Sequence, residues 1–536
     1  MPSFYKESVD FNDINFFSSL IIDYLASSDS LGNFSSFPFN KNSFLKKIEQ
    51  RNQLPHHRSL LKEVIIEQYN KVADSISQSV LVEKNISLLG NKNTFTVTTG
   101  HQLNLFTGPL YFIYKIISTI NLAAVLCKEF PEYNFVPVYW MASEDHDLDE
   151  INYIHLFGKK IAWNPTATGA AGGISCKGIT EIIEEVRSMF SNHPKADHLL
   201  QLFTKAYNEK NNLATATRII VHTLFSQHGL VILDADDVRL KKLFIDVMKD
   251  DIVNKSAFRL VGETIHELEK KYKSQVHPRE INLFYLGDFF RERIVEKDGA
   301  YIVMNRNLRF SENEMLQEIE NHPEKFSPNV VLRPLYQEKI LPNLAYIGGP
   351  AEIAYWLEYK KMFEHYGAEL PILVLRSCMM ILDASVRDKL KKLGLEPKDV
   401  FLNEEDLIRK YLKLNSTNEF SIESLLNKSD TLFNETVSVV NEIDPTLKAS
   451  VEAEKQKMAK SLRSLEERIR RAEKKKYEIE INQVRKMKEK LFPENILQER
   501  YDNLLTYYSK YGDDFLEHLI IHGDPFEKKF MILIEE

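Results

Sequence analysis

Residues 98–115, TTGHQLNLFTGPLYFIYK, place polar side chains, two glycines and a proline between a predicted strand and a predicted helix. Gly100 and Gly108 let a ligand approach the backbone closely, and the free amides of the following helix suit a phosphate or carboxylate. The spacing matches neither the dinucleotide fingerprint nor the phosphate loop, and a glycine turn with a helix cap explains it about equally well. The candidate binding residues are Thr99, Gly100, Gln102, Thr107, Gly108 and Lys115, and His101 is a candidate catalytic residue.

A second polar cluster, SEDHDLDE at residues 143–150, directly follows another predicted strand. Charge runs are usually solvated loops, but a histidine among carboxylates tends to stay protonated at higher pH than a free one. It could act as an acid, contact an anion or, when neutral, bind a metal beside a carboxylate. We favour a function over a solvated loop. The candidate catalytic residues are Asp145, His146 and Asp147, and Glu144 is a candidate binding residue.

The third cluster, IGGPAE at residues 347–352, repeats the order of strand, glycines, proline and helix. Glu352 could simply complement the helix dipole, but the glycine pair before it indicates a close ligand with a hydroxyl or an ammonium. Two arginines nearby in sequence could bind a carboxylate or phosphate, or hold a structural carboxylate. Glu352 is the candidate catalytic residue, and the candidate binding residues are Asn329, Arg333, Gly348, Gly349, Tyr355, Trp356 and Arg376.

Alternating strands and helices would bring these clusters together. The predicted strands are 95–99, 135–141, 229–234, 282–285, 344–347 and 371–375, and the main predicted helices are 110–130, 238–253 and 352–366. This alternation favours an α/β fold, a Rossmann-like and mostly parallel sheet with helices on both faces and with insertions such as the loop 163–180. Ligands of such sheets bind beyond the carboxyl ends of the strands, where all three clusters fall.

The character of the chain changes after about residue 385, where glycine nearly disappears and charge dominates. Apolar residues recur every seventh position at Val451, Met458, Leu465, Ala472 and Ile479, with Leu462 and Ile469 in the companion position. This spacing predicts an antiparallel helical arm of coiled-coil type. We divide the chain into an N-terminal helical segment (1–90), a catalytic core (91–384), a helical coiled-coil arm (385–510) and a C-terminal return to the core (511–536).

Composition excludes several classes of protein. The net charge of −8 and the pI of about 6.1 argue against a nucleic-acid-binding protein. Three scattered cysteines fit a reduced cytoplasmic protein without a disulfide framework or a cysteine-rich zinc site. The sequence shows neither a secretory signal nor an apolar run long enough to span a membrane. We therefore expect a cytoplasmic protein with no nucleic-acid or membrane partner.

Five segments together resemble the BshC family, the cysteine ligases of bacillithiol biosynthesis. They are TTGHQLNLFTGPLYFIYK, PVYWMASEDHDLDEIN, NLFYLGDFFRERI, SPNVVLRPLYQEKILPNLAYIGGPAEIAYWLEYK and LFPENILQER, and they span residues 98–500. The resemblance implies a Rossmann-like core, a C-terminal coiled-coil domain that supports a homodimer, and amide formation between cysteine and glucosaminyl-malate. Two departures are His101-Gln102, where many members have Gln-Gln, and Leu375 in place of proline before Arg376.

The implied reaction is uphill in water, so the cysteine carboxylate needs activation, most simply by ATP with Mg²⁺. The loop 100–109 would then hold phosphates, with His101, Gln102 and Arg333 stabilising the charge that develops on them. Asp145, His146 or Asp147 would deprotonate the sugar amine or hold Mg²⁺, and Glu352 would bind the ammonium of cysteine or a sugar hydroxyl. Two other functions stay open, a metal-dependent hydrolase or deacetylase of an amino-sugar and a non-catalytic nucleotide-binding scaffold.

Overall fold

The computed structural model describes residues 3–35, 37–52, 57–415 and 422–536. It divides into two compact units, the first comprising Met1–Met380 with Ile496–Leu533 and the second Ile381–Asn495 with Ile534–Glu536. The strands are β1 Phe4–Val9, β2 Thr94–His101, β3 Asn134–Met141, β4 Tyr153–Leu156, β5 Lys159–Ala162, β6 Val231–Asp234, β7 Leu283–Gly287, β8 Phe290–Lys297, β9 Ala300–Val303, β10 Leu308–Phe310, β11 Phe326–Pro328, β12 Asn343–Gly348, β13 Ile372–Leu375, β14 Met379–Leu382 and β15 Phe530–Glu535.

The α-helices alternate with these strands in the first unit and fill the second. They are α1 Ser19–Leu25, α2 Lys41–Arg51, α3 Arg58–Asn70, α4 Val80–Leu88, α5 Tyr111–Glu129, α6 Leu148–Ile151, α7 Ile179–Met189, α8 Pro194–Ala206, α9 Leu213–Phe225, α10 Val238–Lys242, α11 Ile245–Val253, α12 Ser256–Leu268, α13 Glu312–Asn321, α14 Leu332–Ile340, α15 Pro350–Leu357, α16 Lys360–His365, α17 Ala384–Leu393, α18 Glu404–Asn415, α19 Glu423–Ile443, α20 Lys448–Lys476, α21 Glu478–Leu491, α22 Leu504–Tyr511 and α23 Asp514–His522.

A five-stranded parallel sheet in the order β13-β12-β2-β3-β6 forms the centre of the first unit. Every residue of β2 and β12 is buried, because helices cover both faces and the strands are rich in apolar and β-branched residues. The order places β2 between β12 and β3, so the carboxyl ends of these three strands meet at one edge of the sheet. The predicted Rossmann-like α/β fold is confirmed.

Several predicted elements differ in detail from the structure. Residues 282–285 do form a strand, β7, but it lies in a separate antiparallel sheet in the order β10-β9-β8-β7-β11, because a short apolar run does not specify its partner. The N-terminal segment, predicted as helical, begins with strand β1 in a sheet of order β1-β15-β14. The predicted helices 238–253 and 352–366 are each broken into two, at residues 243–244 and 358–359.

One helix, α5, passes through the core of the first unit. Among the described residues it alone has the length and apolar composition of a membrane span, and 72% of its apolar window is buried inside the protein. The core of the first unit covers α5, and residues such as Ile113, Ile117 and Leu122 are fully buried.

The second unit contains the predicted helical arm, formed by α19 and α20 around a short connection at residues 444–447. The heptad positions divide between two faces. Leu462 and Ile469 are half-buried, whereas Met458 and Leu465 are 44% and 46% exposed. On α19, Leu425, Leu432 and Val439 also point outward at seven-residue spacing. The arm therefore has one apolar stripe that packs within the protomer and a second stripe that stays exposed.

Candidate active site

The loop after β2 contains three consecutive residues in the left-handed region of backbone space. The φ angle is 47° at Phe106, 68° at Thr107 and 59° at Gly108. Only glycine adopts such angles readily, and a β-branched threonine there is strained. A Cβ atom at Gly108 would lie 2.6 Å from the Cβ of Asn104. The close approach that Gly108 permits is therefore to Asn104 of the same loop.

Side chains from distant segments hold this loop in place. The Nδ2 of Asn503 donates hydrogen bonds to the carbonyl oxygens of Phe106 (2.8 Å) and Gly108 (2.7 Å). The hydroxyl of Tyr207 accepts a hydrogen bond of 2.9 Å from the Phe106 amide. Residues 103–108 are buried as well, so the loop exposes little surface to a ligand. Its role is to position strand β2, which precedes it, and helix α5, which follows it.

The helix that follows begins close to its predicted start. α5 starts at Tyr111, two residues after Pro109, and the amide of Leu110 donates a hydrogen bond of 2.8 Å to the carbonyl oxygen of Asp502. One amide of the predicted anion-binding helix start is therefore occupied within the protein. Any anion at this edge of the sheet must rely more on side-chain cations than on this helix end.

Replacing Gly108 with alanine is expected to lower the free energy of unfolding by about 2–3 kcal/mol, because the left-handed backbone and the clash with Asn104 add. Urea unfolding followed by tryptophan fluorescence measures this change, since Trp140, Trp163 and Trp356 all lie in the first unit. Gly367→Ala is the matched control, because Gly367 has a similar φ of 61° with open space around its Cβ position. Equal losses in the two variants would show that the contact with Asn104 is unimportant.

His101, at the end of β2, lies deep in the site. Its ring stacks on Tyr111 with 5.3 Å between ring centroids, and its Nε2 is buried without a hydrogen-bond partner. Burial, aided by the charge of Lys115, lowers the pKa of His101 to about 3. The ring is therefore neutral at pH 7. The ring can donate or accept a hydrogen bond with a ligand, but it carries no positive charge to pair with a phosphate.

Glu352, on α15, and Lys115, on α5, form an ion pair in which Lys115 is buried and Glu352 is half-buried. The Nζ of Lys115 donates to both carboxylate oxygens of Glu352, at 2.8 and 2.7 Å, and to the carbonyl oxygen of Gly100. The hydroxyl of Tyr346 (2.7 Å) and the amide of Gly349 (2.8 Å) also donate to Glu352. Burial opposes ionisation of Glu352, but Lys115 and these hydrogen bonds prevail and lower its pKa to about 2. The carboxylate is thus fixed and ionised.

Arg333 supplies an unpaired cation next to this ion pair. Its Nη1 donates to the Oε1 of Gln337 (3.1 Å), whereas its Nη2 is buried without a hydrogen-bond partner. A Cβ atom at Gly100 would lie 3.2 Å from that Nη1, so the glycine makes room for the guanidinium. Tyr355 is half-buried and lies within electrostatic reach of Arg333. The arginine is positioned to bind an anion at the end of β2.

Arg376, by contrast, is neutralised inside the protein. Its Nη1 and Nη2 donate to the two carboxylate oxygens of Glu499 at 2.8 and 2.6 Å, and both side chains are 1% exposed. Its Nε is buried without a hydrogen-bond partner and lies 3.9 Å from the Cβ position of Gly349. The guanidinium also lies 5.5 Å from the ring centre of Tyr111. Arg376 therefore links the chain that re-enters the first unit at Ile496 to the glycine pair.

The acidic cluster after β3 faces a different set of partners. The Nε2 of Gln102 donates to Asp145 (2.7 Å) and to Glu150 (3.0 Å). Burial by itself would raise the pKa of Asp145. Hydrogen bonds from His146 and Gln102 outweigh burial, so the pKa lies below its usual value. The Nη1 of Arg291 donates to the Nδ1 of His146 at 2.8 Å, so that nitrogen carries no proton in this arrangement. The neutral form of His146 then has its proton on Nε2.

Glu144 departs from the rest of its cluster. It is ion-paired with the buried Lys241 at 2.6 Å, which also pairs with Asp236. This arrangement is a structural ion network beneath β6, and it explains the side-chain position without a ligand. Asp147 is exposed and precedes α6 without a capping hydrogen bond from its side chain.

Four other predicted binding residues make contacts within the protein. The hydroxyl of Thr99 donates to the carbonyl oxygen of Ile347 (2.9 Å), and the Oδ1 of Asn329 accepts from the Val331 amide at the start of α14. Trp356 is fully buried in the apolar core and stacks on Tyr346. Gly348 is tightly enclosed by its neighbours, with a Cβ position 3.1–3.2 Å from three side chains. These residues build the walls that support the site.

The structure adds residues that the sequence did not single out, namely Tyr111, Arg291, Tyr346, Glu499, Arg500 and Asn503. Tyr111 and Tyr346 lie within the segments that resemble the BshC family, but an aromatic side chain near a helix start or in a strand is usually a core residue. Glu499 is 123 positions from Arg376, and no local pattern reports such a pairing. Arg500 and Asn503 share that difficulty.

The edge of the sheet therefore has a cationic side and an acidic side. Lys115, Arg333, Arg376 and Arg500 lie with Tyr111 and Glu352 at the ends of β2, β12 and β13, whereas Asp145 and Glu150 follow β3. A carboxylate or phosphate suits the first side, and an ammonium or a hydrated divalent cation suits the second. In the part of the chain that the structure describes, no group of three His, Cys, Asp or Glu side chains is arranged to hold a metal by itself.

Comparison with known proteins identifies the family of this chain. The family model described as bacillithiol biosynthesis BshC, N-terminal Rossmann-like domain, matches residues 5–377, and the C-terminal coiled-coil domain of the same family matches residues 379–535. Proteins named "Putative cysteine ligase BshC" include one from Flavobacterium johnsoniae, 41% identical over 98% of this chain and 99% of its own, and one from Christiangramia forsetii, 40% identical over 98% of both. Another from Bacillus thuringiensis is 29% identical over 94% of this chain and 95% of its own. The chain therefore belongs to the BshC family of bacillithiol biosynthesis.

Proposed function

We propose that this protein is a ligase that joins the carboxyl group of cysteine to the amine of glucosaminyl-malate, with ATP as the activating nucleotide. The observation that carries the proposal is full-length similarity to relatives named as cysteine ligases, on a fold whose cationic and acidic sides face one strand edge. Such an edge can bind an anionic acyl donor on its cationic side and a cationic amine on its acidic side.

On the cationic side, Arg333 binds a phosphate or carboxylate through its unpaired Nη2. Neutral His101 adds a hydrogen bond and excludes water from the buried end of the site. The Lys115–Glu352 ion pair keeps Gly349 and Tyr346 in place, and Lys115 also donates to the carbonyl oxygen of Gly100. Charge that develops on the transferred group in the transition state is stabilised by these fixed donors.

The chemistry proceeds in two balanced steps. A carboxylate oxygen of cysteine attacks the α-phosphorus of ATP, which releases pyrophosphate and leaves cysteinyl-adenylate. The amine of the sugar then attacks the acyl carbon, AMP leaves, and the amine proton passes to a base. Mg²⁺ bound to ATP would offset phosphate charge, and the oxygens of Asp145 and Glu150 are those on the acidic side that could hold it.

The acidic side receives the sugar amine. Asp145 already accepts several hydrogen bonds, and the Nδ1 of His146 is occupied by Arg291. A role as base for His146 therefore requires Arg291 to release it when substrate binds. Exposed Asp147 is the carboxylate of the three with the most room for an incoming ammonium.

The test is one reaction containing purified protein, cysteine, glucosaminyl-malate, ATP and Mg²⁺ under reducing conditions, followed by mass spectrometry. The amide-linked thiol with an equal amount of AMP is the expected result. Product with ADP would keep the ligase and replace the adenylate with an acyl phosphate. Nucleotide binding without product, even at high enzyme concentration, would reject the ligase in favour of a scaffold.

We further propose that the protein is a cytoplasmic homodimer formed by the exposed stripe of its helical arm. Leu432 and Val439 are 59% and 56% exposed, one heptad apart on α19, and Leu465 is exposed on α20. A second copy that packs against this stripe would remove these apolar side chains from water. Such a stripe is costly on a monomer and ordinary in a coiled-coil interface.

Replacing both Leu432 and Val439 with glutamate is expected to convert the dimer into a monomer, because two charges per chain cannot be buried at the seam. Light scattering coupled to size-exclusion chromatography measures the mass against the 62.4 kDa of one chain. Asn441→Lys, an exposed change on the opposite face of the same helix, is the control. A wild-type mass equal to one chain at all concentrations would refute the dimer.

A further inference from the structure

The chain that re-enters the first unit at Ile496 places an arginine beside the candidate site. The short 3₁₀ helix Gln498–Arg500 turns Glu499 inward to Arg376 and leaves Arg500 exposed. The guanidinium carbon of Arg500 lies 5.7 Å from the ring centre of Tyr111, and that of Arg376 lies 5.5 Å from the same ring. Two guanidinium groups therefore approach one aromatic ring.

A purely structural explanation does not fit this arrangement well. Arg376 is buried, and Glu499 neutralises it through both carboxylate oxygens. Arg500 is exposed beside the same ring, so it is the added positive charge there. A guanidinium in this position is available to pair with an anion.

A second observation points to a ligand at this place. Three buried donor or acceptor atoms without hydrogen-bond partners line the adjoining walls, namely the Nε of Arg376, the Nη2 of Arg333 and the Nε2 of His101. Buried polar atoms are nearly always hydrogen-bonded in folded proteins. His101 stacks on Tyr111 and the guanidinium of Arg376 lies over the same ring, so two of these atoms and Arg500 adjoin one aromatic ring, while Arg333 lies next to Gly100.

We infer that Arg500 is a substrate-binding residue, which clamps an anionic group of a substrate, a carboxylate or a phosphate, over the ring of Tyr111. This inference rests on the proposed function and deepens it, because it names a residue from the far end of the chain as part of the same site. The guanidinium fork pairs with either anion. The source of the anion, whether glucosaminyl-malate, cysteine or ATP, is decided by which substrate responds to loss of the arginine.

The experiment compares the wild type with Arg500→Gln and Arg500→Lys, with each of the three substrates varied in turn. In Arg500→Gln we expect the KM of one substrate to rise about 10- to 100-fold, as for loss of a charged hydrogen bond, while kcat stays within about threefold. Arg500→Lys should recover part of the loss through its charge. The KM of the wild type should rise with salt, and that of Arg500→Gln should not.

Arg259→Gln is the matched control, since Arg259 is an exposed arginine on α12 with a single glutamate partner one turn away. Calorimetric titration of ATP and of glucosaminyl-malate into each variant gives a readout that does not need turnover. If the wild type neither turns over nor binds these compounds, the proposed function fails. If the wild type is active and no KM or binding constant changes more than twofold in Arg500→Gln, the role of Arg500 is overturned while the ligase stands.

Discussion

Replacing Glu499 with glutamine is expected to lower the free energy of unfolding by about 3–5 kcal/mol, the usual loss when one partner of a buried ion pair is removed. The guanidinium of Arg376 would stay buried with no carboxylate within reach. The amide of Met379 also donates to Glu499, at 3.1 Å. Urea unfolding followed by tryptophan fluorescence measures the loss, because all three tryptophans lie in the first unit.

Two variants decide what this loss means. Glu517→Gln removes a partly exposed partner of His228 and should change stability by no more than about 0.5 kcal/mol. The double variant Arg376→Met with Glu499→Met should be less destabilised than Glu499→Gln, because no unpaired charge is left buried. If the single and double variants lose the same stability, packing and not charge accounts for the effect.

Replacing Glu352 with glutamine is expected to reduce kcat/KM about 100-fold or more and to destabilise the protein by about 3 kcal/mol. The buried Lys115 would lose its counter-charge. The hydroxyl of Tyr346 and the amide of Gly349 would face a glutamine side chain, which has one acceptor oxygen and one donor NH2 group. Steady-state kinetics and urea unfolding measure the two effects on the same protein preparation.

The stability effect of Glu352→Gln should depend on pH in a defined direction. The pKa of Glu352 is lowered from 4.5 to about 2 by folding, so its contribution is fully present above about pH 4.5 and is lost as pH falls through about 2. The difference between wild type and variant should therefore be constant from pH 6 to 8 and shrink in acid. A difference that grows in acid would contradict the ion pair.

Glu314→Gln provides the matched control for Glu352. Glu314 occupies the same third helical position in a capping box, at the exposed start of α13, and its loss reports the capping contribution alone. That contribution is about 1 kcal/mol or less, with no change in kcat/KM. If Glu352→Gln behaves like Glu314→Gln, Glu352 is only a helix cap.

The sequence predicted that the three polar clusters would follow strands of one sheet, because local patterns report local structure. Strand β2, the glycines that follow it and the start of α5 are adjacent in the chain, and the same holds for β12 and Glu352. It follows that polar clusters after parallel strands meet at one edge. The pattern could not separate residues that face a ligand from those that build the walls, as Thr99, Asn329 and Trp356 do.

The contacts that hold the site together were beyond local patterns. The hydrogen bonds from Asn503 to the loop after β2 and the ion pair of Glu499 with Arg376 each join residues more than 120 positions apart. The fourfold hydrogen bonding of Glu352 is likewise a tertiary property. A glutamate that is free to bind a ligand cannot be told by sequence from one whose carboxylate is fully hydrogen-bonded within the protein.

The discontinuous first unit also fixes the order in which the protein becomes functional during synthesis. The strands of the parallel sheet, Arg376 and the loop after β2 leave the ribosome well before Glu499 and Asn503, and residues Ile381–Asn495 of the second unit are translated between them. Until then Arg376 has no counter-charge and the left-handed loop has no clamp. A nascent or truncated chain that ends within the helical arm therefore holds every residue of the sheet edge and still lacks a finished site.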